Sequence, residues 1–491
     1  MVKCPQSSQL KLPLTRQTAF ALIVASSNIL IGFSIGWTAV LPKLQEDSSK
    51  FSVTEDDVAW LASLDGLVSL FSCFVSGPLV EALGPRRIMF LALLPCSGLW
   101  LLQAFAPSLS LLYLGRGLLA VSVGLVCVVV QPLVSELSPA EVRGFAASVP
   151  EVVLSLGALS SYALAFFLPW DLATAASAVP FVMLALLMAL VPESPYWLVK
   201  KRKQKEAERS LRRLLGPEAK ISEELSAILH SASPEQGTLK EQLRNLRAKR
   251  NHLPVLLLFA SFVLREFGGR SAVFSYTVFT LRFAGLELDA SGCAVLIGVI
   301  RVVSSGVSAA LVDVVGRKPL LVGASAVASL ASFVMGAFLC LEVPGATSWM
   351  ALVGVILYTV SYGVGLGPVL WVYLGELVPS SVRSLGAAAV TTGYYLSNFV
   401  VKYVFLGLVS SLGLGRTLIL FGGVDVLLFL LAWQSLPETR GRSLKDIEGS
   451  FDAPDPGQTS GQGSSPTDPK AEPSDTERPP VCEVVLDVTK L

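Results

Sequence analysis

The sequence predicts an all-α membrane protein of twelve transmembrane helices, arranged as two pseudo-symmetric six-helix bundles. Three observations carry that prediction. Apolar residues make up 52% of the 491 and charged residues only 15%, with a mean hydropathy of +0.63, far from the balance of a soluble chain. The apolar residues gather in twelve runs, each long enough to cross a hydrocarbon core about 30 Å thick, which takes about 20 residues. Three charged clusters recur in the same order in the two halves.

Six runs precede a long polar segment: 17–41, 58–80, 88–106, 109–133, 145–168 and 174–191. Six follow it: 255–283, 290–312, 320–341, 350–373, 386–408 and 418–436. In lipid, runs of this length satisfy their own backbone only as helices. Gly32, Gly36, Pro132, Pro150, Gly365, Gly367 and Pro368 fall inside them. Bundled membrane helices tolerate such residues and use the small ones for close approach. The first run reads as a retained anchor helix, because it lacks the small-residue cleavage site of a leader.

Basic residues set the orientation. The segment 199–253 holds Lys200, Lys201, Arg202, Lys203, Lys205, Arg209, Arg212 and Arg213, then Arg244, Arg247, Lys249 and Arg250. The opposite loops at 106–108 and 169–174 carry no Lys or Arg. The positive-inside rule places the long segment and both termini in the cytoplasm. Residues 1–198 thus read as one bundle and 199–253 as a cytoplasmic loop with short helices at 203–215 and 239–250. Residues 254–448 form the second bundle, and 449–491, rich in Pro, Ser, Gly and acids, a disordered cytoplasmic tail.

Several chemistries are excluded. The seven cysteines show no paired or ligand-like spacing, and the two histidines, His230 and His252, are too few for a histidine metal site. No phosphate-cradling loop or nucleophile elbow is present. The chain reads as no enzyme, with no cofactor, no metal and no nucleic-acid partner; its partners are a small solute and the bilayer, and it is expected to work as a monomer.

The repeat is the most informative pattern. Glu81-Ala-Leu-Gly84-Pro85-Arg86-Arg87 answers to Asp313-Val-Val-Gly316-Arg317-Lys318. Glu136 through Arg143 answers to Glu376 through Arg383, and Pro192-Glu193 to Pro437-Glu438. Parallel duplication of this kind builds alternating-access carriers, with substrate at the midplane between two rocking halves. The clusters sit at cytoplasmic helix ends. Glu136, Arg143, Glu376 and Arg383 are placed to pair with Arg86, Arg87, Arg317 and Lys318 when that face closes. Exposed pairs worth about 0–1 kcal/mol each suit a reversible latch.

Gly77–Gly84, Gly115-Arg116, Glu136–Gly144, Pro192-Glu-Ser-Pro195, Asp313–Lys318, Gly367-Pro368-Val-Leu-Trp371 and Pro437–Arg442 together resemble the sugar transporters of the major facilitator superfamily. The likeness is greatest to their facilitated trehalose transporter-like branch, and it runs from about Gln17 to Glu448. It implies the major facilitator fold, a plasma-membrane setting and a sugar as substrate. It also assigns Trp371 to stacking on a sugar face and Arg116 to supporting the cavity.

Departures from that family are concentrated where it contacts hexose through side-chain amides, groups that both donate to and accept from hydroxyls. Its Gln-Gln-Leu-Ser-Gly-Ile-Asn run in helix seven is here Arg265-Glu266-Phe-Gly-Gly269-Arg270-Ser271. Its helix-five glutamine corresponds to Glu151, its helix-eight asparagine to Arg301, and its helix-eleven Asn-Trp to Tyr394-Tyr395. Ser34 stands where proton-coupled relatives carry Asp.

A lone charge at midplane costs about 2.5–3.5 kcal/mol on insertion scales, so these five must face a wet cavity or one another. Glu151 is expected to pair with Arg265 or Arg301 and Glu266 to take another arginine. On the blander reading Arg270 snorkels and the other charges form a structural bridge in place of sugar contacts; Lys402 is expected to snorkel from helix eleven. Tyr276, Tyr394 and Tyr395 could stack on pyranose faces beside Trp371. The residues support facilitative transport of a hexose- or trehalose-like sugar, a same-fold carrier of a charged organic solute, or a sensor-like relative that no longer transports.

Overall fold

A computed structural model describes residues 16–47, 50–138, 143–216, 221–231, 239–285, 289–341, 347–442, 449 and 451. The tail read as disordered lies outside these residues except for 449 and 451, as does the whole stretch 232–238 in the central segment.

Among the described residues, eleven helices are long and apolar enough to cross a membrane. The first six are Arg16–Glu46, Glu55–Leu83, Pro85–Ala104, Leu109–Leu137, Ala146–Phe167 and Trp170–Leu190. The last five are Ala290–Val315, Arg317–Leu341, Thr347–Leu377, Leu385–Leu412 and Leu414–Ser435. Large apolar side chains such as Phe167 (75% exposed), Val179 (69%) and Leu341 (73%) stand outward, which only a lipid surround accommodates.

The seventh predicted run is not among these eleven. It is broken into Lys249–Phe267, Arg270–Ser275 and Thr277–Phe283. Gly269 takes φ +90°, a left-handed conformation that costs glycine little, and a Cβ there would run into the ring of Phe421. Three charges and this break remove the run from a length-and-hydropathy count, yet it completes the twelve. The tenth span is also interrupted: Tyr362–Leu366 forms a π turn, with the Gly367 N–H donating to the Tyr362 carbonyl at 2.8 Å.

In the central segment the helix expected at 203–215 is Gln204–Leu215, with Ala207, Ser210, Leu211 and Leu214 on its buried face. Ile221–Ser231 is a further helix that the periodicity did not reveal. The charged helix expected at 239–250 stops at Asn245, and Lys249 already opens the seventh span.

The sequence repeat has a structural counterpart at two turns. Gly84 and Gly316 take φ +95° and +105°, and each lies against a carboxylate, Glu193 and Glu438 respectively. A Cβ would meet Glu193 Oε2 at 2.8 Å and Glu438 Oε2 at 2.7 Å, so both the φ and the space call for glycine.

Candidate functional site

The break in the seventh span builds the centre of the molecule. Glu266 ends one helical piece and Arg270 begins the next, so their side chains meet across the Gly268-Gly269 turn. Arg270 Nη1 donates to both carboxylate oxygens of Glu266 at 3.0 and 3.1 Å, and Arg265 donates through Nε at 3.2 Å. Asn398 Nδ2 adds a third donor and a fourth bond at 3.4 Å. Glu266 is wholly buried and Arg265 and Arg270 nearly so. Arg270 is therefore not a snorkelling residue: a carboxylate four residues earlier holds it inward.

The tenth and eleventh spans supply the remaining walls. Arg265 Nη1 donates to the Leu366 carbonyl at 3.3 Å, at the end of the π turn, and its guanidinium lies over Phe262 at 4.6 Å. Arg270 Nη1 reaches the Tyr394 hydroxyl at 3.2 Å. Trp371 is part-buried, edge-on to Phe262 (5.1 Å) and Tyr394 (5.7 Å). Tyr395 packs edge-on to Tyr394, and the buried hydroxyl of Ser271 has no hydrogen-bond partner among the described residues. These residues thus form one aromatic and cationic cluster.

Glu151 and Arg301 stand beside it, on the fifth and eighth spans. Arg301 is 0% exposed and lies over Phe274 (4.5 Å) and Tyr362 (5.1 Å). Its Nη2 is 3.8 Å from Glu151 Oε1, too far for a hydrogen bond, and no nitrogen of its guanidinium has a hydrogen-bond partner among the described residues. The site thus sets three guanidiniums against two carboxylates.

Two buried charges escaped sequence reasoning. Lys402 does not snorkel: it is 2% exposed and bonds both carboxylate oxygens of Asp65, in the second span, at 3.0 Å. A lone acid inside an apolar run was the available signal for Asp65. Asp425, in the twelfth span, lies where a Cβ on Gly268 would strike it, and neither of its oxygens has a partner among the described residues. Arg116 is buried over Trp37 and donates to the Ser34 and Leu61 carbonyls, bracing the first, second and fourth spans. Tyr276 is not open to a solute: its hydroxyl donates to the Lys402 carbonyl and its ring stacks on Phe405.

Among the described residues, bonds between the two halves are few and lie near the middle, where Glu151–Arg301 and Cys127–Tyr395 cross, or to one side of it. Ser155 and Ser305 hydroxyls meet at 3.0 Å midway along their helices. Beyond them, in one direction, come Tyr162 to the Phe274 carbonyl (2.8 Å), Asp65–Lys402, and Glu46–Arg282 (2.6 Å). In the other direction lie the repeated clusters, whose described bonds each stay within one half.

In the first half Glu193 accepts from the Arg86 N–H at 2.9 Å and Glu136 accepts from Ser194 Oγ at 2.5 Å. Glu81 lies 3.9 Å from Lys200. In the second, Arg317 spans Asp313 (3.1 Å) and Glu376 (3.0 Å). Glu438 there accepts from the N–H groups of Arg317, Lys318, Thr439 and Arg440. Burial pushes both glutamates up. Four backbone donors bring Glu438 below its ordinary 4.5, whereas the two on Glu193 leave it raised. Proline at 85 removes one donor from the first copy. The side chains of Arg87, Lys318 and Arg383 make no ion pair among the described residues, and that of Arg143 lies outside them.

Comparison with known proteins agrees with this geometry. A family profile described as "Sugar (and other) transporter" matches residues 20–451. A facilitated trehalose transporter Tret1 of Apis mellifera ligustica is 32% identical, over 90% of this chain and 89% of its own. The Tret1 of Aedes aegypti is 28% identical over 88% of this chain, which spans only 54% of that relative's length. Among solved structures, the proton:xylose symporter XylE bound to 6-bromo-6-deoxy-D-glucose superimposes with a TM-score of 0.74. It is 21% identical, over 89% of this chain and 99% of its own.

Proposed function

Because the chain belongs to the sugar transporter family of the major facilitator superfamily, a family of carriers and not of enzymes, we propose that it moves a hexose- or trehalose-like sugar down its gradient by alternating access. In this reading 1–198 and 254–448 are the rocking bundles, 199–253 joins them in the cytoplasm, and both termini face the cytoplasm at the plasma membrane. One monomer suffices. The observation that carries the reading is the placement of the bonds between halves among the described residues: they lie near the middle, at Glu151–Arg301, Cys127–Tyr395 and Ser155–Ser305, or outward of it, leaving the clustered end free to part. Trp371, Tyr394 and Tyr395 offer ring faces and a hydroxyl to a pyranose. The clusters Glu81, Arg86, Arg87, Glu136, Arg143, Glu193 and Asp313, Arg317, Lys318, Glu376, Arg383, Glu438 act as the inner gate. Ser34, in place of an acid, supports a carrier that couples no proton through the first span.

A second reading has an observation of its own. Arg301 is wholly buried with donors that no described residue takes up, which favours a charged organic solute. Uptake into proteoliposomes separates the two. Trehalose or glucose should equilibrate without an imposed ion gradient, and Trp371→Ala should abolish it. Uptake of organic anions alone, lost in Arg301→Gln, would replace the sugar reading; uptake of neither class would leave a non-transporting relative.

A further inference from the structure

A cavity of about 470 Å³ lies against the first-half cluster, outside the central site. Its walls come from the start of the third span, the end of the sixth and the helix Gln204–Leu215. Five arginines line it, Arg86, Arg87, Arg209, Arg212 and Arg213, against two acids, Glu193 and Glu206. One acid is already committed: Glu193 accepts the Arg86 N–H, and Ser210 Oγ ties the helix to the Glu193 carbonyl. Arg212 has an exposed partner in Glu208 at 2.8 Å. Arg209 and Arg213 make no ion pair among the described residues and Arg87 feels only the charge of Glu193; Arg86 donates through Nη2 to the Ala189 carbonyl, and its Nε is buried without a partner. The site therefore keeps fork-shaped donors that no described residue takes up, the pattern that suits a phosphate.

The surroundings select the source of that phosphate. A second, smaller opening shares Arg86 and Arg87 with it and is completed by Phe90 of the third span and Ala189 of the sixth. On these two spans Leu91 (51% exposed), Leu94, Leu186 and Leu190 form an apolar surface. A phosphate seated on the arginines would have acyl chains laid along that surface, which a soluble phosphate ester could not use. We propose that this cavity binds the phosphate-bearing headgroup of an anionic phospholipid of the cytoplasmic leaflet. The proposal takes the orientation given above; it is independent of which solute is carried.

The second copy of the cluster lacks this arrangement among the described residues. Arg317 is spent on Glu376 and Asp313, and Arg440 donates to the Val314 carbonyl. Lipid binding would thus act on one half and one gate, bracing the helix Gln204–Leu215 against the third span.

The test uses the full chain in phosphatidylcholine nanodiscs with and without phosphatidylinositol, with bound lipid counted by native mass spectrometry. Wild type should retain phosphatidylinositol. Arg209→Gln/Arg213→Gln should weaken retention about thirtyfold, because each basic side chain is worth about 1 kcal/mol at an anionic surface and 1.4 kcal/mol is tenfold. Arg209→Lys/Arg213→Lys should restore most of it. Both positions are exposed on a helix whose buried face is untouched, so folding is not at issue. Equal retention by wild type and the glutamine variant would overturn the site. Competition by soluble inositol phosphate, with no lipid retained after delipidation, would overturn the lipid assignment.

Discussion

Towards Glu46 and Arg282 the two halves are bonded to each other; around the repeated clusters each half is bonded to itself. The first set of contacts is sparse and long-range in sequence, and its core is one buried ion pair, Asp65–Lys402. The second is dense and redundant: Glu438 alone accepts from four backbone N–H groups, and Glu376 takes both Arg317 and Thr439 Oγ1. The difference teaches what each end is for. Redundant capping makes each bundle rigid where the clusters lie, and the few cross-bonds make a joint that can open. A carrier that rocks needs both, since interfaces of packed helices switch between arrangements and do not deform smoothly.

Removing the buried pair should break the comparison most. Lys402→Met takes both ammonium bonds from the buried Asp65 carboxylate, leaving it the Gly66 N–H and the charge of Arg116, and truncating one partner of such a pair costs about 3–5 kcal/mol. The purified chain in detergent should lose thermal stability accordingly. Asp65→Asn/Lys402→Met should regain most of the loss, because the orphaned charge is what costs. If the single and double variants melt together, the pair does not tie the halves.

Much of this division was legible in advance. Twelve runs, the doubled clusters and the resemblance they carry lead to the fold, because hydrocarbon thickness and backbone satisfaction leave a chain of this composition no other regular structure. The misses share one physical cause: a side chain's partner is a tertiary fact. Lys402 reads as snorkelling when its helix is taken alone and becomes an interior residue only once Asp65 is opposite it. Arg270 follows the same logic through Glu266, where the Gly268-Gly269 turn brings two helical pieces together. The pairing read for the clusters belongs to the closed face and is a different matter; here Glu136 bonds Ser194 and Glu193 bonds the Arg86 backbone, both within one half.

Acidification should sharpen the contrast within the clustered end. Glu438 titrates below its ordinary 4.5, so its contribution is complete above that value and is lost as pH falls through its lower folded value. Glu193 titrates above 4.5, so its carboxyl takes up a proton in the folded chain first, and its copy gains as pH falls toward 4.5. Hydrogen exchange, corrected for its intrinsic pH dependence, should show protection lost at Arg317 and Lys318 on acidification and kept or gained at Arg86. A common response in both copies would mean that the extra backbone donors on Glu438 do not distinguish them.

The smallest effect belongs to the outermost cross-bond. Arg282 and Glu46 are 43% and 64% exposed at the side chain, so water and salt screen them despite a separation of 2.6 Å. Arg282→Gln should lower stability by about 0–1 kcal/mol, and less in high salt. Its effect should instead appear in kinetics, as faster opening of that end, read as quicker modification of an introduced Ser275→Cys thiol by an impermeant reagent. Ser275 is buried on the seventh span behind this bond, so its exposure reports the joint and not the cluster end. A loss as large as that for Lys402→Met would place the main tie between the halves at the surface and reverse the ranking of the two bonds.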